Sequence, residues 1–141
     1  MKYRVVGVGR VRDAALRAAC DEYRDRLSHY AKVEEVEVKD EARLPGAIPA
    51  ETRLVALSRA GKSWSSRDLA LQTERWEREA RDVAFAIGGA TALPAAVMDR
   101  ADDVWSLSAL TLPHELARLV VLEQLYRAFT IRRGEPYHRG P

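Results

Sequence analysis

The chain has 141 residues, 47% of them hydrophobic and 31% charged, with a formal net charge of only +2. That is one domain's worth of ordinary globular composition, and it does not announce a binder of nucleic acid by charge alone. No apolar run reaches membrane-spanning length, the first residues lack the apolar core of a signal peptide, and a single cysteine, Cys20, excludes an internal disulfide, which fits a reducing cytosol.

Lys2–Val8 is rich in β-branched residues and ends at Gly7-Val8-Gly9, which predicts a first strand feeding a tight turn. A dinucleotide fingerprint would need another glycine three residues on, where Arg12 stands, so a nucleotide-binding fold of Rossmann type is the weaker reading. Asp13 to Tyr30 repeats its apolar residues at helical spacing, with Cys20 in the inner stripe as a small core residue. Lys32–Lys39 alternates valines with Lys and Glu and predicts a second strand near an edge. Asp40–Thr52 holds Pro45, Gly46 and Pro49 and predicts no helix.

Arg53–Ser58 predicts a third strand and Ser58–Lys62 a loop at its end. Ser65 or Ser66, with Asp68, is spaced to cap the next helix, whose inner stripe is Leu69, Thr73, Trp76 and Ala80. Val83–Ile87 is wholly apolar, as a strand covered on both faces must be, and it runs into Gly88-Gly89. Leu93–Ala101 predicts a short helix and Trp105–Leu112 a last strand. Pro113 then opens a helix from Glu115 to Ile131 that is apolar on two sides: Ala117, Val121, Leu125 and Ala128 on one, Leu119, Leu122, Tyr126 and Phe129 on the other. A helix apolar on two sides needs two covers, and a second copy of the chain is one source. Alternating strands and helices give an α/β fold with a mostly parallel sheet, whose ligands bind outside the carboxyl ends of its strands. Three such ends are marked, at Leu57-Ser58, Gly88-Gly89 and Leu110-Thr111-Leu112.

The segment SLSALTLPH, the helix carrying Glu-Gln-Leu-Tyr-Arg-Ala-Phe and the terminal Tyr137-His138-Arg139 together resemble the small SPOUT-class methyltransferases of the bacterial large ribosomal subunit, the methyltransferase H family. The likeness extends over nearly the whole chain. It implies a single domain over 1–141 whose sheet is flanked by helices, a C-terminal trefoil knot formed by about 83–141, and a homodimer. It implies S-adenosylmethionine as cofactor, held by Leu57, Gly88, Leu107, Ser108, Ala109, Leu110, Thr111 and Leu112. From periodicity alone, Leu107–Leu112 would be ordinary strand core.

The implied reaction is methylation of N3 of a pseudouridine in a stem-loop of 23S rRNA, helix 69, on the assembled ribosome in the cytoplasm, with no metal and no membrane. Tyr137, His138 and Arg139 would be the catalytic residues, contributed to the partner subunit's site. His138 is the best-typed proton acceptor, Tyr137 suits the base and Arg139 a phosphate or the uracil oxygens. His114 has even claims to the site and to the helix start. Three features depart from the family's usual pattern: the short 40–52 connection, Ser58 where an acid is usual, and Ala92 where glycine is usual. A catalytically weakened homodimer that binds RNA or the ribosome is the alternative reading.

Overall fold

In the computed structural model, which describes residues 1–141, five parallel strands form one sheet: β1 (Tyr3–Val8), β2 (Val33–Val38), β3 (Arg53–Ser63), β4 (Val83–Ala86) and β5 (Asp103–Ser106), in the order β2-β1-β4-β3-β5. Four helices connect them: α1 (Ala14–Leu27), α2 (Ser66–Glu79), α3 (Ala95–Arg100) and α4 (His114–Arg132). Alternation along each strand sends residues to two cores. Tyr3, Val5, Val83 and Phe85 point to a face covered by α1, α2 and α4, with Cys20, Leu27, Trp76 and Leu122 among their buried neighbours. Val6, Leu54, Ala84 and Ala86 point to the other face, where Leu44, Ile48 and Val97 cover them.

The 40–52 connection is therefore a cover as well as a link. It makes two short 3-10 turns, Glu41–Arg43 and Pro45–Ala47, and Leu44 and Ile48 between and after them fill the place a helix would take. A parallel sheet needs both faces closed, and this is the cheapest closure thirteen or so residues can make.

The predicted elements are present, with three corrections and one open choice, between Ser65 and Ser66 as the cap of α2, decided. The expected loop 58–62 belongs to β3, which continues to Ser63 with an irregularity between Leu57 and Lys62. Gly61 permits this, since a Cβ there would stand 2.5 Å from the Val104 carbonyl carbon. Ala80 is not inner-stripe core but the exposed C-cap of α2, at φ 58°. Ser65, not Ser66, caps α2, in a reciprocal box with Asp68. Leu107–Leu112 is not strand, because Ser108 turns the backbone: its carbonyl accepts from Ser106 Oγ (3.1 Å) and its hydroxyl accepts from Leu110 N–H (2.9 Å).

Both sides of α4 are covered within one subunit, by α1, α2 and β1. The two-sided apolar pattern thus needs no second copy to explain it. Arg118 lies in the same helix at 2% exposure, its Nη1 2.6 Å from Glu37 Oε2 and its Nη2 donating to the Gly9 carbonyl at 2.9 Å. Gly7 makes room for it, since a Cβ would stand 3.0 Å from the guanidinium carbon. Next to it the buried carboxylate of Glu35 is paired with both Arg17 and Arg24.

The amino edge of the sheet is laced by ion pairs. Arg4 joins Glu34 (2.9 Å) and Asp82 (3.0 Å), and Arg53 joins Glu79 and Asp103 (both 3.1 Å). The Lys2 N–H and then Arg4 hold the Asp82 carboxyl below its usual range.

Candidate active site

At the opposite, carboxyl edge, the ends of β3, β4 and β5 and the start of α4 enclose a cleft of about 190 Å³. Of the expected cofactor residues, Leu57, Gly88, Leu107, Ser108, Leu110 and Leu112 line it, whereas Ala109 and Thr111 are exposed and do not. His114 lines it too. The start of α4 takes no side-chain cap from it, so the structure favours the site over the helix start. Trp105, buried beneath and stacked on Trp64 with ring centroids 5.4 Å apart, forms part of the wall, and its indole N–H has no partner. Aromatic reasoning from the sequence had no means to find it, because its strand neighbours made it look like plain core.

Gly88 lets the loop fold tightly back on itself at the cleft wall, since a Cβ there would stand 2.9 Å from the Thr91 carbonyl oxygen. Glu41 braces the same loop. Its carboxylate accepts from the Thr91 N–H (3.4 Å), and Gly89 must be glycine because a Cβ would meet Glu41 Oε1 at 2.9 Å and Val8 Cβ at 3.0 Å. Its own amide, then that of Thr91, hold the Glu41 carboxyl below its usual range. The short connection after β2 thus supports the cleft directly. Ala92 is at no positive φ, Ala80 being the one non-glycine residue that is, so alanine there carries no backbone strain. Leu110 stands 72% exposed at the rim, an apolar side chain with nothing over it.

The C-terminal residues lie elsewhere. Gly134 ends α4 at φ 67°, with its N–H on the Ile131 carbonyl and the Glu135 N–H on that of Thr130, the double bond of a Schellman turn. The tail then runs back along α1 and α4. Tyr137 donates to Glu123 Oε2 (2.8 Å), lies 3.1 Å from the Tyr23 hydroxyl and meets Tyr126 edge-on at 4.7 Å. Burial, then the bonds to Tyr23 and Glu123, push the Tyr137 phenol pKa up. Arg127 lies over the Tyr137 ring and donates to His138 Nδ1 at 3.0 Å. Since an arginine can only donate, the neutral His138 ring carries its proton on Nε2, which is buried and without a partner. Arg139 is exposed. At 1.5 Å per residue, Arg127 is about 20 Å along α4 from His114 at the cleft. The structure therefore gathers the cofactor residues in one place and the tail residues in another.

Residues 1–138 match the family model "Predicted SPOUT methyltransferase". The chain belongs to that family. Its curated relatives include the ribosomal RNA large subunit methyltransferase H of Sorangium cellulosum (strain So ce56), 47% identical over 97% of this chain and 99% of the relative. The protein of that name from Anaeromyxobacter sp. (strain Fw109-5) is 44% identical over 99% and 100%, and that from Bacillus cereus (strain ATCC 14579) 38% identical over the same shares. Among solved structures, a probable methylase family protein from Haemophilus influenzae Rd KW20 matches 98% of this chain and 70% of its own at a TM-score of 0.61 and 13% identity, a likeness of fold alone.

Proposed function

We propose that this chain is an S-adenosylmethionine-dependent methyltransferase that modifies N3 of a pseudouridine in helix 69 of 23S rRNA, on the assembled ribosome in the cytoplasm. The observation that carries the reading is the convergence of three strand ends and the start of α4 on one cleft, in a chain that matches methyltransferase H relatives over their full length. Residues 83–141 form the trefoil knot of this reading, and the active unit is a homodimer.

Leu57, Gly88, Leu107, Ser108, Leu110 and Leu112, which line the cleft, hold the cofactor, apolar side chains against its adenine and backbone groups at its edge, and Ala109 and Thr111 belong to the site only as links of that segment. The fit is supported by the uncovered Leu110 at the rim and by the unpartnered Trp105 indole N–H in the wall. Bound there, S-adenosylmethionine supplies a methyl group on a positively charged sulfur. The protein's task is then alignment of N3 with that group. Tyr137 orients the base and Arg139 stabilises charge on the uracil oxygens. His138, seated against Arg127, carries an Nε2–H, which suits donation to a uracil oxygen while the N3 proton passes to solvent water as the N3–methyl bond forms. Its use as the proton acceptor would require leaving Arg127.

The distance between the tail and the cleft of its own subunit supports a site completed by a second copy. Mass spectrometry of rRNA from cells with and without this protein tests the function. A methyl mark at the helix 69 pseudouridine that depends on the protein is the expected result, and its absence would overturn the reading.

A further inference from the structure

The near-zero net charge conceals an uneven distribution. On the amino edge and the helix faces, arginines are consumed by carboxylates, as in Arg4–Glu34, Arg53–Asp103 and Arg127–Glu123. On the carboxyl edge, Arg10, Arg12, Lys39, Arg59 and Lys62 are all exposed, and none reaches a carboxylate within 4.0 Å. The acids nearby are occupied. Glu115 accepts the Arg12 and Asp13 N–H groups (2.8 and 3.1 Å), Glu41 holds the Thr91 amide, Glu37 holds Arg118, Asp40 lies 3.7 Å from Arg43, and Asp13 caps α1. Elsewhere Lys32 stands unpaired, and Arg78 and Arg133 share a depression with the carboxylates Glu74 and Glu77.

The five fall into two groups, one beside the cleft and one at it. Arg10 and Arg12 follow β1 and Lys39 follows β2, and these three line one shallow depression. Arg59 and Lys62 lie at the end of β3 on the other side of β4, and Arg59 borders the cleft itself. With strands about 4.8 Å apart, β2 to β3 spans about 15 Å, a stretch of a few nucleotides.

We propose that these two groups are the phosphate-binding rim for the RNA substrate, with the strand crossing the carboxyl edge from β2 to β3 and the target nucleotide facing the cleft that Arg59 borders. The inference rests on the methyltransferase reading above and adds to it the surface that fixes RNA register. Phosphate contacts from exposed Arg and Lys set position while the base is read separately, and RNA is read most readily where its bases are splayed from a loop. The backbone carrying Arg10 and Arg12 is anchored independently of their side chains, by Glu115 and by the Arg118 bond to Gly9.

The test measures binding of the full-length protein to ribosomes from cells lacking it, across a salt series, beside cofactor affinity and methyl transfer. Arg10→Ala/Arg12→Ala should flatten the salt dependence by about two counter-ions and weaken binding about tenfold or more, with cofactor affinity unchanged. Arg59→Ala/Lys62→Ala should flatten it likewise. Lys32→Ala/Arg78→Ala, which removes the same charge elsewhere, should leave the slope as it was. A protein that methylates while Arg10→Ala/Arg12→Ala binds with unchanged slope overturns this inference and leaves the function standing. Binding that depends on the rim without any methyl transfer overturns the function and leaves the rim standing.

Discussion

The Arg127 guanidinium donates to Nδ1 of His138 across 3.0 Å, and that one bond decides what the histidine offers to a substrate. With Nδ1 occupied, the ring presents a proton on Nε2. His138→Ala should therefore lower methyl transfer about a hundredfold, the usual worth of a hydrogen-bond donor aimed at developing charge, with little change in cofactor affinity. His138→Gln, which keeps a donor, should recover part of the rate. A glutamine variant as slow as the alanine would favour proton abstraction instead, and single-turnover rates distinguish the two.

Glu41 should act on the cofactor through the loop it braces. Glu41→Ala is expected to raise the cofactor dissociation constant about fivefold, as loss of one ordinary hydrogen bond does, while the thermal midpoint barely moves. Its carboxyl pKa is depressed in the fold, so the brace is present above the ordinary carboxylate range and lost as pH falls through the folded value. Calorimetric titration at neutral pH and at a pH below the ordinary carboxylate range checks both statements, and equal affinities for the two proteins at neutral pH would remove Glu41 from the site.

Arg118 is a stability residue by its surroundings. Replacing it with Met leaves the partly exposed Glu37 with only Arg17, 4.0 Å away, and Gly9 without its donor, and should cost about 2 kcal/mol in urea unfolding. Gly7→Ala attacks the same place from the strand, by overpacking, at about 2 kcal/mol. Because both act on one contact, the double variant should cost less than the sum.

The docked tail should respond to alkali. Tyr30 donates to Glu135 Oε2 at 2.6 Å, and that bond, then burial, pushes its pKa up to about 12. Tyr137 is raised as well, by burial first. A phenol whose folded pKa lies above its unfolded value of about 10 gives its full stabilisation below pH 10 and loses it as pH rises through the folded value. Limited proteolysis after Arg132 or Arg133 should therefore accelerate between about pH 10 and 12, and a rate that follows only the protease's own pH profile would contradict this.

Where local pattern and tertiary packing agree, the sequence was a sufficient guide. The wholly apolar Val83–Ala86 had to be a central strand, and α4 had to be buried on two sides. The failures have a common cause, in that short-range or long-range partners invisible to periodicity won. Ser108 bonds its neighbours and unmakes the strand suggested by three leucines. Gly61 lies on the backbone of β5, a contact 43 residues away along the chain, and so extends β3. Six of the eight expected cofactor residues meet at the cleft because strand ends of a parallel sheet share one edge, whereas Glu41 went unread because nothing about a lone acid in a proline-rich link says which amide it will reach.

The ion-pair lacing across the amino edge has a practical consequence. Charge changes made there alter how tightly the strands are clamped at their starting ends, about 13 Å along β3 from the cleft-lining Leu57. A variant built to survive heat or handling can therefore be sought among Arg4, Arg53, Asp82 and Asp103 and their neighbours, leaving turnover untouched.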